Sequence, residues 1–393
     1  MAKNIKTQLL DIVRSVVIDR SVTVPLGDFT FEENVGSKQL SIEELDVIDK
    51  TFIFAKKHQI HHLVSCYAYA MGDKRYIKRF FSSVSFTLQQ MRAADEISTA
   101  LTGSKIKHIP LKGTVLRKMY PEDWMRNSCD IDVLVDKCNV AAAGEILAGL
   151  GFKKEETLSA HDVTYTRGKI HVELHFVLLE EYRFPNVSDT LLDVWENSST
   201  ENGYCYFMSD EFFYLYHVAH MAKHFELGGC GVRAVLDTWI LNNACDFDAQ
   251  KRGLLLESAG LYKFDSQMKK LADYWFGDGK GGELEMLERF VLSGGAYGNV
   301  ENSVLVSKEI KGGRLSYLMH RLFVPTEQLM RYYPSLVGRG YLAPIYQVRR
   351  WFDALVRDRK KYMYEMSQNI KKDGREREVR EMLSTLGLRG AEK

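Results

Sequence analysis

Two acidic residues share an apolar run, Cys129-Asp130-Ile131-Asp132-Val133-Leu134-Val135. In a β-strand, residues i and i+2 lie on one face. Asp130 and Asp132 therefore point one way while Ile131, Val133 and Val135 point into a core. Like charges side by side on a half-buried strand repel, and each is costly to desolvate. A divalent cation held between them removes both objections. Val172-Glu173-Leu174 sets a third carboxylate in another short apolar strand. Three such groups are what two magnesium ions need to bind a nucleoside triphosphate and steer in-line displacement. The plainer alternative is a strand end capped by solvated acids.

Upstream lies Pro110-Leu111-Lys112-Gly113-Thr114. A glycine at a strand-to-helix turn lets backbone approach a phosphate, and the helix start offers free N–H groups to an anion. Lys112 would add charge and Thr114 a hydroxyl, although such a tripeptide is common in ordinary turns. His171, Glu173 and His175 alternate along one strand face, where they could form a transition-metal site, orient neighbouring groups or sit satisfied beside a pocket. His217, His220 and His224 share a helical face. The His220/His224 spacing suits zinc, but Met-Ala-Lys lies between them, so the glutamate of an HExxH site is missing. Arg126 precedes the acidic strand, where it could reach a phosphate oxygen or form a surface salt bridge. Arg233 and Asp237 stand four apart; an exposed helical pair of that kind contributes little to stability, so the open readings are an interdomain ion pair or an arginine that grips the triphosphate.

These residues need a scaffold. A capping box, Ser41-Ile42-Glu43-Glu44, opens a helix that runs towards His58. Helices are expected over His61–Ala70 and about Lys74–Thr102. The pattern then shortens and alternates, with strands over Lys107–Leu111 and Ile131–Val135, a helix over Asn139–Leu150, and a hairpin of Val163–Arg167 and Ile170–Phe176 about Gly168-Lys169. Helical periodicity returns from Asp210, after which Gly228-Gly229-Cys230-Gly231 separates two helices. The expected class is α+β: a small mixed-sheet core at 105–200 flanked by an N-terminal helical domain, 1–104, and a C-terminal helical region, 201–393. Within the latter, the aromatic and arginine-rich stretch Tyr332–Phe352 reads as helical core with snorkelling arginines, the alternatives being an amphipathic surface for a membrane or partner and an acceptor platform. The charged run Lys371–Glu378 reads as a solvated tail.

The ordered set Leu111-Lys112-Gly113, Tyr120-Pro121, Arg126, Asp130-Ile131-Asp132, Val172-Glu173-Leu174-His175, then His217/His220/His224 before Arg233 and Asp237, resembles the nucleotidyltransferase fold of the polymerase-beta superfamily. It is most similar to a group of uncharacterised bacterial nucleotidyltransferases. The resemblance covers about 50–275. The phosphate turn departs from the wider superfamily in carrying Gly113-Thr114, with a longer gap before the acid pair. The resemblance implies transfer of a nucleoside monophosphate from an NTP, with ATP the expected one, to a hydroxyl, with release of pyrophosphate. Two Mg2+ ions, replaceable by Mn2+, would be held by Asp130, Asp132 and Glu173, with Glu173 completing the set or acting as base. Lys112, Gly113, Thr114, Arg126, His220, His224 and Arg233 would border the nucleotide. A two-metal phosphoesterase and a catalytically silent nucleotide-binding scaffold are the competing classes; the presence of all three carboxylates argues against the second.

The chain has 393 residues, 45% of them hydrophobic, and a formal net charge of +1. That is ample for a real core, and it lacks the basic bias of an extended nucleic-acid binder. A small molecule or a protein side chain is therefore the expected acceptor. Six cysteines without a paired spacing suit a reducing compartment. No signal peptide or bilayer-length apolar run is apparent, so the expected location is cytoplasmic.

Overall fold

The computed structural model describes residues 4–24, 40–155, 161–179, 185–356, 364, 367 and 374–388. Its first helices are α1 (Ile5–Val13), α2 (Ile42–Lys57), α3 (His61–Ala70) and α4 (Ile77–Gly103). The capping box forms as expected. Glu44 N–H donates to Ser41 Oγ at 3.2 Å, and Ser41 N–H donates to Glu44 Oε2 at 2.8 Å, which satisfies two of the free donors at a helix start.

The α/β unit follows. It comprises β1 (His108–Pro110), α5 (Gly113–Leu116), β2 (Ile131–Val135), α6 (Val140–Gly149), β3 (Lys153–Lys154), β4 (Asp162–Arg167) and β5 (Ile170–His175). These strands form one mixed sheet in the order β1-β2-β5-β4-β3. The β4/β5 hairpin is antiparallel, as its turn predicts. The pairing that matters most is β2 with β5, which is parallel and in a register that sets Asp132 opposite Glu173. One sheet face packs Ile131, Val133, Val135, Val172 and Leu174 against Ile97 and Leu101 of α4 and Leu147 of α6. The period-2 alternation consequently delivers Asp132, Glu173 and His175 to the opposite face.

After α7 (Pro185–Leu191) and a small β6/β7 ladder (Ser198–Thr200 with Tyr206–Met208), the chain is helical. It forms α8 (Asp210–Glu226), α9 (Gly231–Ala244), α10 (Ala249–Ser258), α11 (Tyr262–Phe276), α12 (Glu285–Gly294), α13 (Val300–Ile310), α14 (Arg314–Leu322), α15 (Thr326–Tyr332), α16 (Ala343–Val356) and α17 (Glu376–Thr385). Helix α8 covers the polar sheet face. Between α8 and α9, Gly229 and Gly231 have positive φ, and a Cβ at either would meet the backbone of Gly294 or Ala296 at 2.7–2.8 Å. Glycine is required there because the loop after α12, which carries Tyr297, lies directly against this turn.

Two C-terminal expectations change. Of the charged run, Lys371–Asp373 lie outside the described residues, but Glu376–Glu378 open α17. That helix buries Val379, Met382 and Leu383 in the main core, and Glu376 receives Arg314 at 2.7 Å and Lys308 at 3.4 Å. The apolar i, i+3, i+4, i+7 stripe after Glu376 drives this packing, and the charges occupy its outer face. Conversely, the Tyr332–Phe352 stretch is helical but not core. Tyr341, Ile345 and Phe352 are exposed, while Trp351 turns inward to donate from Nε1 to Leu322 O at 2.8 Å.

Candidate active site

A cavity of about 230 Å3 lies between the polar sheet face, α8 and α9. From the sheet side it is lined by Lys112, Asp130, Asp132 and Glu173. Asp132 is central. Its Oδ1 accepts from Lys112 Nζ at 2.6 Å and lies 2.8 Å from His175 Nε2. Its Oδ2 is buried with no hydrogen-bond partner among the described residues. Glu173 Oε2 stands 3.3 Å from His175 Nε2 and 3.8 Å from Lys112 Nζ. Ligand atoms of Asp132, Glu173 and His175 all fall within 4.8 Å of one another. Asp130, just before β2, lines the same cavity. His171 does not join this group. It is exposed, 3.9 Å from Glu155.

The electrostatics divide the two aspartates. Burial alone would raise the Asp132 pKa, but the Lys112 charge and the His175 hydrogen bond outweigh it and hold that carboxyl far below its usual range. Burial, then repulsion from Asp132, pushes Asp130 up to about 7. Two acids spaced for one face thus differ in proton affinity because only one of them faces Lys112 and His175 directly. Burial and Lys112 oppose protonation of His175, yet its bonds to Asp132 and Glu173 leave its pKa raised.

The phosphate turn is arranged differently from its sequence reading. Lys112 adopts a left-handed backbone, φ +42°, and projects into the cavity, whereas Gly113 and Thr114 are not among its lining residues. A side chain at Gly113 would collide with Ser128 Oγ, so the close approach that this glycine allows is to Ser128. Arg126 is buried and spends its fork on Asp237, with Nε to Oδ1 at 2.8 Å and Nη2 to Oδ2 at 2.9 Å. Tyr120 donates to the same carboxylate at 2.7 Å. Asp237 therefore pairs with Arg126 and not with its helical neighbour. Arg233 lines the cavity and makes no ion pair among the described residues. Its hydrogen bond to Asn127 O is long, 3.4 Å, and burial, then the nearby Arg126 charge, lower its pKa.

Helix α8 lines the cavity with residues at helical spacing, among them Phe213, Tyr216, His217, His220 and His224. His220 and His224 meet Nε2 to Nε2 at 3.3 Å, so one ring donates to the other. His217 Nε2 lies 2.9 Å from Thr238 Oγ1. Burial, then the Lys112 charge, lower the His220 pKa well below the usual value, which favours a neutral ring. Tyr216 is the residue that sequence reading left without a role at the acids, whereas His175 orients a neighbouring carboxylate, one of the parts its strand spacing allowed. The period-2 spacing from Glu173 was the available signal for His175; for Tyr216 it was the helical step to His220. Tyr297, beyond α12, stacks edge-on to His224 at 5.9 Å. It is shared with a second cleft of about 750 Å3 lined by Lys311, Tyr317, His320, Arg321, Tyr332 and Arg350.

Residues 48–277, more than half of the chain, match a family described as uncharacterised nucleotidyltransferases. The chain belongs to that family. It is accordingly a nucleotidyltransferase, and every residue of the acid cluster, together with Lys112, Tyr216 and Arg233, falls inside the matched segment. No curated protein and no solved structure matches this nucleotidyltransferase. Among its described residues, no helix is long and apolar enough to cross a membrane.

The donor set fits a hard divalent cation. Its members are carboxylate oxygens, and the buried Asp132 Oδ2 lacks any partner, which is costly unless a cation or donor supplies one. His175 already contacts Asp132 Oδ1, an outer contact of the kind that orients a metal-binding carboxylate.

Proposed function

We propose that this nucleotidyltransferase transfers a nucleoside monophosphate from a magnesium-bound NTP, ATP being the preferred candidate, to a hydroxyl of a small molecule or protein. The observation that carries this reading is the in-register pair Asp132 and Glu173 on adjacent parallel strands, with Asp132 Oδ2 unsatisfied and both residues lining the cavity that Lys112 and Arg233 also line. Asp132 and Glu173, with Asp130 beside them, would hold the metal. When bound, magnesium supplies charge neutralisation at the phosphates and lowers the acceptor's pKa.

The chain's own residues divide the remaining work. Lys112 and Arg233 bring positive charge to the triphosphate. The acceptor oxygen bonds to the α-phosphorus, the bond from that phosphorus to the bridging oxygen breaks, and pyrophosphate leaves with the electron pair. Glu173 completes the metal-binding set or takes the acceptor's proton.

Space favours a separate entrance for the acceptor. The catalytic cavity, about 230 Å3, is below the ~300–1,000 Å3 usual for small-molecule sites. The cleft beyond Tyr297 shares that residue with it and, at about 750 Å3, has room for a second reactant.

The test is incubation of the protein with Mg2+ and α-labelled NTPs, with and without cell lysate, beside Asp132→Asn and Glu173→Gln. Label on a lysate component, lost in both variants, is the expected result. NTP or ester hydrolysis without a labelled acceptor would point to a phosphoesterase, and tight NTP binding without turnover to a silent scaffold.

A further inference from the structure

Asp132 Oδ2 has a counterpart across the cavity. Tyr216, on α8, is 1% exposed and lines the same space, and its hydroxyl also lacks a hydrogen-bond partner among the described residues. The charges that act on it are those of Lys112, Asp132, Glu173 and Asp130, which places the phenol among the phosphate- and metal-binding groups. Burial raises its pKa, so it stays a neutral O–H donor.

A folded protein rarely leaves a buried donor and a buried anion unsatisfied in one cavity, and such groups call for an explanation. These two do not satisfy each other. One needs a cation and the other needs an acceptor. A metal-bound phosphate presents both at once: the ion towards Asp132 and a non-bridging oxygen towards Tyr216. A lone metal ion would leave the phenol unpaired, and a lone anion would be repelled by Asp132. The neighbouring positions on the helix do not offer the same group, because His217 is engaged with Thr238 and His220 with His224.

We propose that Tyr216 is a phosphate-binding residue whose hydroxyl donates a hydrogen bond to a non-bridging oxygen of the metal-bound triphosphate. This rests on the nucleotidyl-transfer reading and adds to it a contact from the helical layer.

The consequence is unusual for a buried tyrosine. Removing a hydroxyl that has no partner in the fold does not break a protein hydrogen bond, so Tyr216→Phe keeps or raises stability while weakening nucleotide binding. The experiment uses the full chain and Tyr216→Phe in three measurements: thermal melting without ligand, Mn2+ affinity by electron paramagnetic resonance, and calorimetric titration with Mg2+ and α,β-methylene-ATP. The expected result is an unchanged or higher melting temperature, unchanged Mn2+ affinity, and nucleotide affinity reduced about tenfold, roughly 1.4 kcal/mol. Equal nucleotide affinity in the two proteins overturns the proposal. So does a lower melting temperature of Tyr216→Phe without ligand, which would mean that the hydroxyl is satisfied within the fold, by a buried water for instance. If the unaltered chain fails to bind the analogue at all, the nucleotidyl-transfer reading itself falls, and that outcome is distinct from the other two.

Discussion

His175 Nε2 stands 2.8 Å from Asp132 Oδ1, a contact made across two parallel strands by residues far apart in the chain. It fixes the rotation of the Asp132 carboxylate and leaves Oδ2 buried without a partner among the described residues. Outer partners of metal-binding groups typically contribute ten- to a hundredfold in affinity, as orders of magnitude. His175→Ala should therefore weaken Mn2+ binding by about 10–100-fold, whereas Asp132→Asn should abolish it. Titration of Mn2+ by electron paramagnetic resonance distinguishes the two, and equal affinity in His175→Ala and the unaltered chain would assign His175 to packing alone.

Lys112 and a divalent cation are drawn to the same oxygens. Its ammonium lies 2.6 Å from Asp132 and 3.8 Å from Glu173. Replacing it by methionine leaves a buried carboxylate uncompensated, which costs about 3 kcal/mol at this level of burial. A metal ion can restore that charge balance. Lys112→Met should melt well below the unaltered chain in chelator and recover more on addition of Mg2+ than the unaltered chain gains. Parallel responses of the two proteins to Mg2+ would show that the lysine and the ion do not share a site.

Arg126 and Asp237 are both buried, and their forked contact ties the loop before β2 to α9. Truncation of one member of such a pair typically costs about 3–5 kcal/mol, because the other charge is left unpaired. Arg126→Ala and Asp237→Ala should each lower stability to denaturant by about that much, and the double variant should lose much less than the sum. An additive double variant would mean that Arg126 acts elsewhere, at the nucleotide for example.

The parts of the fold that were legible in the sequence are those set by local pattern. The capping box at Ser41, the hairpin about Gly168, and the alternation that buries Ile131 and Val133 while turning Asp132 to the other face all depend on residues close in the chain. The register of β2 against β5 is a long-range choice, and the residues inferred from it carry the most information: Asp132 faces Glu173, and His175 thereby reaches Asp132. Partner choice was hidden for the same reason. Asp237 stands at helical spacing from Arg233, yet it takes Arg126, from the loop before β2, in a forked contact between residues far apart in the chain. Tyr216 gave no local sign beyond its step to His220, since an unsatisfied buried hydroxyl is a property of the packed cavity. At the C-terminus, the charges of Glu376–Glu378 masked an apolar stripe that only a helical reading of the following residues reveals.

Buried neutral histidines near the α2–α3 turn make stability depend on pH, with a sign that can be worked out. Burial lowers His58 to about 4 and His62 to about 3. Val232 N–H donates to His58 Nδ1 at 3.2 Å, and His62 Nε2 lies 2.8 Å from Met125 O, so each ring is built in as a neutral tautomer. In the unfolded chain both would titrate near ~6.5. Above that pH neither state takes the proton and stability is complete. As pH falls from 6.5 towards 4, the unfolded state binds protons that the folded state refuses, and stability drops by about 1.4 kcal/mol per pH unit for each ring. Asp130 opposes one of them. Its folded pKa of about 7 lies above the unfolded value, so its contribution grows as pH falls through the same window. Two rings against one acid leave a net loss towards acid, and the lowered pKa of His217 and of His220 adds to it. Melting temperature should therefore fall between pH 6.5 and 5. His58→Gln, whose side-chain carbonyl can still accept from Val232 N–H, should flatten that slope by one proton's worth. An unchanged slope in this variant would show that His58 is protonated in the fold.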